Sequence, residues 1–554
     1  RRFSVHSHTK AVLKHTHSRR FALPHTFVPG RLPCKVPISA ALRLTRMRRA
    51  GNPLPPACAR LRQAGRMGEG RGEGPLSCIL QTDRYDRELQ HTVPMTERFQ
   101  NRQEALGSFS GLADALRAAR DTSCLELGEG VLARTPGVFR EQFGARPAVI
   151  VADTNTFAAA GAKVQETLAS ARHPTLEPFL FTSAGLYAEH GFVVELESAL
   201  RQHEAIPIAV GSGTINDLTK LAAHRVGRAY LCVGTAASMD GYTAFGASIT
   251  HQGAKQTFIC PAPAAVVADL DVIRAAPSEM SAWGYADLLA KVTAGADWIL
   301  ADALGLEPIH AQAWGIVQGR LRELVSDPDG VRAGRPDALG RLVEGLMLGG
   351  FAMQAMQSSR AASGAEHQFS HLWDMQHHTH QGAAPSHGLK VGIGTLAMSA
   401  LYESMLEKPL ERLDVEACCA AWPDQAFWIE RIRDRFVEGD LCAVALRESA
   451  AKHISRDELR QQLEQLRRAW PQIAGRLRRQ LIPFKTLREM LRAAGAATEP
   501  EQIGITRDRL RANFMDAFCI RRRFTGLDFA VRTGLLSTCL DEIFGPNGLW
   551  SAGL

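Results

Sequence analysis

The sequence predicts two halves of different class, an α/β half followed by an all-α half. Two observations carry this. Between residues 148 and 269, four short apolar runs each end in turn residues and lead into a helical stretch. From about Pro277 onward, long amphipathic runs take over and strand-like segments become few. Short continuous apolar runs alternating with helices point to a largely parallel sheet covered on both faces. In such sheets, ligands bind beyond the carboxyl ends of the strands.

The chain has 554 residues, and at roughly 100–200 residues per domain it has room for two to four domains. Hydrophobic residues make up 45% and charged residues 22%, ordinary values for a globular chain. A core of this size needs no disulfides. No apolar run reaches about 18 residues, so no membrane span is expected. The net charge of +8 is unevenly spread: residues 1–94 hold 18 Lys/Arg against 5 Asp/Glu, and the remainder is mildly acidic. The acidic body gives no reason to invoke nucleic acid. The 11 cysteines form no CxxC pair, with only Cys418 and Cys419 close together. Reduced, mostly buried thiols in a cytoplasmic setting are expected.

Residues 1–94 stand apart. Residues 1–50 contain 12 Lys/Arg, 5 His and no acid, and Pro, Gly and Arg dominate through Gly74. Such a segment cannot bury enough apolar surface to offset its ordering entropy. It reads as a disordered upstream extension; an Arg-rich transit peptide and a nucleic-acid-binding arm are the other readings. Ordered patterning begins soon after Met95, taken as the start of the folded chain. The expected boundaries are 1–94 for the extension, 95–275 for the α/β domain and 276–554 for the helical domain.

The apolar runs of the α/β half are residues 148–152, 206–210, 230–233 and 264–268. The second runs into Gly211-Ser212-Gly213-Thr214-Ile215 and then a helix. Glycines at 211 and 213 permit close approach of a pyrophosphate, and the helix start offers free N–H groups. Thr214 with Asp217 resembles a capping box. A plain tight turn is the other reading. The third run ends in Thr235-Ala236-Ala237-Ser238, followed by Asp240. Thr235 and Ser238 suit hydrogen bonds to a cofactor, the two alanines leave room for a ring, and Asp240 suits a substrate hydroxyl. Alternatively, this is a turn closed by Asp240-Gly241.

The helical half carries three chemically distinct pieces. Ser363 and Glu366 form an S-x-x-E capping box, so a helix starts there and places His367 and His371 on one face. Ser386-His387-Gly388 reads as a second helix start. Asp287 sits among apolar neighbours on a further helix, where a carboxylate is costly unless paired or bound to metal. One Asp and two His suit a divalent metal with open positions. An HxxxH pair is also commonly incidental, and spacing alone does not link Asp287 to the histidines. The three histidines between Gln376 and His380 read as solvated.

At these motifs the chain resembles the glycerol-1-phosphate dehydrogenases, especially their bacterial branch, within the dehydroquinate synthase-like and iron-containing alcohol dehydrogenase superfamily. The matching segments are GSGTINDLTK, VGTAASMDGYTAFGAS, PAPAAVVADLDVI, GYADLLAKVTAGADW, SGAEHQFSHLWDM and SHGLKVGIG, in family order over about residues 95–545. The resemblance implies an α/β dinucleotide-binding domain and an all-α metal-binding domain. It implies Asp287, His367 and His387 as ligands of one divalent metal (Zn²⁺, Ni²⁺ or Fe²⁺), with Asp287 also beside the substrate. It implies His371 and Asp240 as substrate-contacting residues. Gly211 to Ile215, Thr235 to Ser238 and Asp153 would hold NAD(P)(H). A cofactor-contacting Ser common in the family is replaced by Ala244, beside Thr243, so no contact is assigned there.

The implied reaction is metal-assisted reduction of dihydroxyacetone phosphate to glycerol-1-phosphate. His371 is the candidate proton relay, and Lys390 or an Arg of the helical half would hold the phosphate. The alternatives are a related alcohol or polyol dehydrogenase, a dehydroquinate synthase-type lyase, and a nucleic-acid-binding protein using residues 1–94. The expected partner is a small molecule; the choice of NAD or NADP and a homodimeric state stay open.

Overall fold

The computed structural model describes residues 42–45, 111–183, 185–251 and 254–551. Among the described residues the first half contains nine strands: β1 (Leu42–Thr45), β2 (Cys124–Gly128), β3 (Ala148–Asp153), β4 (Phe179–Phe181), β5 (Ile206–Gly211), β6 (Leu231–Gly234), β7 (Ala247–His251), β8 (Ala254–Phe258) and β9 (Ala265–Asp269). One sheet runs β1-β2-β9-β6-β5-β3-β4, and β7 with β8 forms a separate hairpin. All pairings in the large sheet are parallel except β1 with β2. The four expected runs are β3, β5, β6 and β9, each shifted by at most one residue.

These strands are apolar throughout because both faces are covered. On β5, Ile206, Ile208 and Val210 enter one core and Ala209 the other. Ile150 and Ala152 of β3 join the first, Val149 and Val151 the second.

β1 corrects the expectation for the basic segment at one place. Composition predicts no strand there, yet Leu42 pairs opposite Leu127 and Thr45 opposite Cys124. The local alternation Leu-Arg-Leu-Thr suits the outer edge of the sheet, where β1 covers the edge of β2 that faces away from β9. The rest of residues 1–94, with the disorder expected of them and the start assigned at Met95, lies outside the described residues.

Beyond Pro277 the described regular elements are helical. Seven helices matter below: α1 (Gly213–Arg225), α2 (Ser278–Leu289), α3 (Lys291–Ala303), α4 (Pro336–Met356), α5 (Ala365–Met375), α6 (His387–Leu406) and α7 (Arg507–Cys519). α2 and α3 follow one another directly, with Ala290 between them. At the junction the Ala290 carbonyl accepts from both Thr293 N at 3.1 Å and Ala294 N at 3.0 Å.

Three glycines set how closely these helices approach. A Cβ on Gly284 would overlap the Ala237 carbonyl, one on Gly388 the Trp283 carbonyl, and one on Gly394 the Glu366 carbonyl. Through them α2 presses on the segment after β6, and α6 presses on both α2 and α5. Among the described residues no helix is long and apolar enough to cross a membrane. The eight described cysteines are free thiols, and all but Cys418 are buried.

Candidate active site

Asp287 near the end of α2, His367 in the first turn of α5 and His387 at the start of α6 meet at one point. One ligand atom from each lies within 4.8 Å of the others. His367 Nε2 is 3.5 Å from Asp287 Oδ1, and the His367 and His387 ring centroids are 5.3 Å apart. The helix starts fix the imidazoles: Ser386 caps α6 by accepting from the Leu389 N–H at 3.3 Å.

The remaining ring nitrogens are held from behind. His367 Nδ1 lies 2.8 Å from Glu366 Oε1, and His387 Nδ1 lies 3.3 Å from Ser370 Oγ. The Asp240 backbone N–H donates to Asp287 Oδ2 at 3.1 Å. A carboxylate and two imidazoles, each steadied by a further partner and converging on one point, fit a divalent ion with positions left for substrate. Burial favours the neutral acid at Asp287, but Lys291 and the histidines outweigh it and hold the carboxyl below the usual range.

Glu366 corrects the expected capping box. The α5 N-cap is Gly364 and carries no side-chain cap. The Glu366 carboxylate instead accepts from Gly364 N at 2.5 Å and from the Thr293 hydroxyl at 2.9 Å, besides holding His367. A fully buried carboxylate takes the partners that tertiary packing supplies, and here they outrank the local motif.

Lys291 was not singled out from sequence. It is fully buried, with Nζ 3.0 Å from Asp287 Oδ1 and 2.7 Å from Asp240 Oδ2. The only sequence signal is a lysine four residues after Asp287 inside an apolar run. Its ammonium lets two carboxylates share one site. Lys291→Met should therefore destabilise the ion-free protein by about 3–5 kcal/mol, the usual consequence of stripping one partner from a buried pair. Added divalent ion should restore part of the loss. Denaturant melts with and without chelator check this, and equal stability of variant and parent under chelation would refute it.

His371 sits one turn beyond His367, with ring centroids 6.4 Å apart. Burial, then the charges of Arg521 and Lys255, push its pKa well below the ordinary value, so it is neutral. Lys390, one expected phosphate holder, is engaged elsewhere. Its Nζ pairs with Asp374, whose other oxygen lies 3.6 Å from Lys255 Nζ on β8. The three histidines near 378 are not uniformly solvated either. His378 is hydrogen-bonded to the Ile503 carbonyl at 2.6 Å and to Arg509 at 3.0 Å.

The expected dinucleotide residues gather at the carboxyl edge of the sheet. Gly211 ends β5, Ser212 is the N-cap of α1, and Thr235 N–H donates to the Gly211 carbonyl at 3.2 Å. Thr214 and Asp217 do not form the expected capping box. α1 starts two residues earlier, at Gly213 with Ser212 as N-cap and no side-chain cap, so its first N–H groups stay available to an anion. Asp217 turns instead to Ser248 N at 3.0 Å and Lys220 Nζ at 3.3 Å. Gly211 has a packing role too, because a Cβ there would meet the Ile215 side chain.

Lys220, also missed, is buried and donates to the Gly241 and Gly246 carbonyls at 3.3 and 3.0 Å. It anchors the loop that carries Asp240. Thr235, Ala236, Ala237 and Ser238 are buried at the end of β6. The Thr243 hydroxyl donates to the Met347 carbonyl on α4 at 2.7 Å. Asp153 ends β3 as a helix cap, its Oδ1 accepting from Thr156 N at 2.8 Å.

A parallel sheet with a glycine-rich strand end, facing a carboxylate–imidazole cluster on helices, defines a class. Residues 126–277 match the family model for iron-containing alcohol dehydrogenases. More specifically, the chain belongs to the glycerol-1-phosphate dehydrogenase family. It is 34% identical over 320 residues to the glycerol-1-phosphate dehydrogenase [NAD(P)+] of Halalkalibacterium halodurans, covering 55% of this chain and 79% of that one. It is 30% identical over 406 residues to the enzyme of the same name from Geobacillus stearothermophilus, covering 73% of this chain and 91% of that one. A solved probable glycerol dehydrogenase from Sinorhizobium meliloti aligns over 74% of this chain and 94% of its own, at 16% identity and TM-score 0.48.

Proposed function

We propose that this chain is a metal-dependent, NAD(P)-linked glycerol-1-phosphate dehydrogenase that reduces dihydroxyacetone phosphate to glycerol-1-phosphate. The observation that carries the proposal is the meeting of Asp287, His367 and His387 beside the carboxyl edge of the sheet. The names of the relatives supply the substrate and the cofactor.

Asp287, His367 and His387 would hold the divalent ion. Bound there, the ion supplies Lewis acidity toward the ketone and the nicotinamide supplies the hydride. Reduction adds that hydride to C2 and a proton to its oxygen. Asp240, at the lip of the same site, is held by Lys291 and is placed to orient a substrate hydroxyl. His371 Nδ1 is buried with no hydrogen-bond partner among the described residues, and the side chain lines a cavity beside the cluster. A neutral imidazole there can pass a proton toward the developing alkoxide. Gly211 to Ile215 and Thr235 to Ser238 would cradle the dinucleotide, with Asp153 near its adenosine ribose. Free cysteine thiols suit the reducing cytoplasm, where we place the enzyme.

The test is oxidation of glycerol-1-phosphate, glycerol-3-phosphate and glycerol, with NAD⁺ and NADP⁺ and with added Zn²⁺, Ni²⁺ or Fe²⁺. Glycerol-1-phosphate should be preferred in kcat/KM by about a hundredfold or more, as expected when a site is built for a charged group. Equal or better turnover of glycerol would overturn the assignment.

A further inference from the structure

A cavity of about 680 Å³ opens beside His371, on the side of α5 that faces the segment after α7. Five cations line it, Lys452, Arg521, Arg522, Arg523 and Arg532, against two carboxylates, Glu307 and Glu448. Both carboxylates are already engaged. Glu448 takes Arg522 at 2.9 Å, and Glu307 takes Arg360 at 3.2 Å. Lys452 pairs with Asp528 at 3.1 Å. Arg521 and Arg523 have no carboxylate partner among the described residues. Arg523 donates only to neutral oxygens, the Ser363 carbonyl at 2.6 Å and Ser359 Oγ at 3.0 Å.

A second observation points the same way. Gln368, which follows the ligand His367, lines this cavity and is 2% exposed, yet neither its Oε1 nor its Nε2 has a hydrogen-bond partner. Buried amides are rarely left unpaired, because doing so forfeits their hydration for nothing. A site that keeps an unpaired amide and unneutralised guanidinium groups is built for a group it does not contain. An oxyanion with several acceptor oxygens matches both, and planar guanidinium is the usual partner of a phosphoryl group.

We infer that Arg521, with Gln368 and Arg523, binds the phosphoryl group of the substrate in this cavity. The inference rests on the substrate class proposed above. His371 lines the cavity, and its ring centroid lies 6.4 Å from that of the ligand His367, a span that a three-carbon phosphate can bridge. The grip thereby sets specificity for phosphorylated over free trioses. Lys255 and Lys390 share Asp374 and are the weaker candidates.

The experiment compares the metal-loaded enzyme with Arg521→Ala, Arg521→Lys and Gln368→Leu. Steady-state kinetics use dihydroxyacetone phosphate and dihydroxyacetone, with inorganic phosphate as inhibitor. Arg521→Ala should raise KM for the phosphorylated substrate about 30-fold or more, with a much smaller change in kcat. It should weaken phosphate inhibition in parallel and collapse the preference over dihydroxyacetone, and Arg521→Lys should recover part of each. Gln368→Leu removes an unpaired buried amide, should fold at least as well, and should raise the same KM. An unchanged KM and unchanged phosphate inhibition in Arg521→Ala and Gln368→Leu would overturn the inference, as would transfer of the whole effect to Lys255→Ala. Should the parent enzyme itself show no preference for the phosphorylated triose, the substrate assignment fails first and independently of Arg521.

Discussion

Replacing His387 with alanine should release the divalent ion and lower turnover by at least about a thousandfold, while the protein stays folded. His387 contributes little to the ion-free fold. It is half-buried and makes one 3.3 Å contact with Ser370 Oγ, a hydrogen bond with a net contribution of about 1 kcal/mol. Its chemistry is arranged for metal. Burial, reinforced by the charges of His367, Lys255 and Lys390, outweighs the pull of Asp287 and lowers its pKa to about 3. The ring is therefore neutral across the physiological range, and no proton competes with an ion for its lone pair. His371→Ala is the informative contrast. His371 stands outside the cluster that Asp287, His367 and His387 form, so its loss should leave metal content near stoichiometric. Turnover should still fall about a hundredfold, the common worth of a positioned proton carrier. Metal analysis beside single-turnover kinetics separates the two. Stoichiometric metal and full turnover in His387→Ala would sink the proposed mechanism, whereas metal loss in His371→Ala would make that residue a ligand.

Much of this architecture is legible in the residues because it rests on local pattern. β3, β5, β6 and β9 are continuous apolar runs, and burial on both faces demands that. β2 escaped notice because Glu126 interrupts its run. That carboxylate is fully buried and paired with Arg134 at 3.1 Å, a tertiary contact no periodicity reveals. β7 and β8 alternate too weakly to be read as strands, since the hairpin leans on α5 and α1 instead of joining the large sheet. The site divides the same way. Ser386 capping α6 is a local rule and is obeyed. The S-x-x-E segment follows the same rule on paper and breaks it, because Glu366 is drawn to His367 and Thr293. Lys291, Lys220 and Gln368 take their meaning only from groups distant in sequence. Asp287 joins the two histidines through helix packing, which is why resemblance and not spacing connected them.

That packing leads to the second large effect. Alanine at Gly388 should destabilise the ion-free protein by about 2–4 kcal/mol and weaken metal binding by tenfold or more. Gly388 follows His387 on α6, and an added methyl would overlap the Trp283 carbonyl together with its carbon and Cα. Backbone, unlike the tip of a flexible side chain, cannot rotate away, so α6 must retreat from α2. α2 carries Asp287, and α6 carries His387; the retreat separates two ligands whose atoms now lie within 4.8 Å of each other. Helix propensity alone predicts the opposite sign, since glycine inside a helix is about 1 kcal/mol worse than alanine. Gly475 supplies the control. It lies within the helix Arg456–Gln480, and a methyl there would meet only the end of Arg479 at 3.6 Å. Gly475→Ala should therefore stabilise the protein by about 0.5–1 kcal/mol and leave metal affinity alone. Denaturant melts under chelation and metal titrations of both variants check the pair. If Gly388→Ala behaves like Gly475→Ala, close approach of α6 to α2 does not set the ligand geometry, and some other contact must hold His387 beside Asp287.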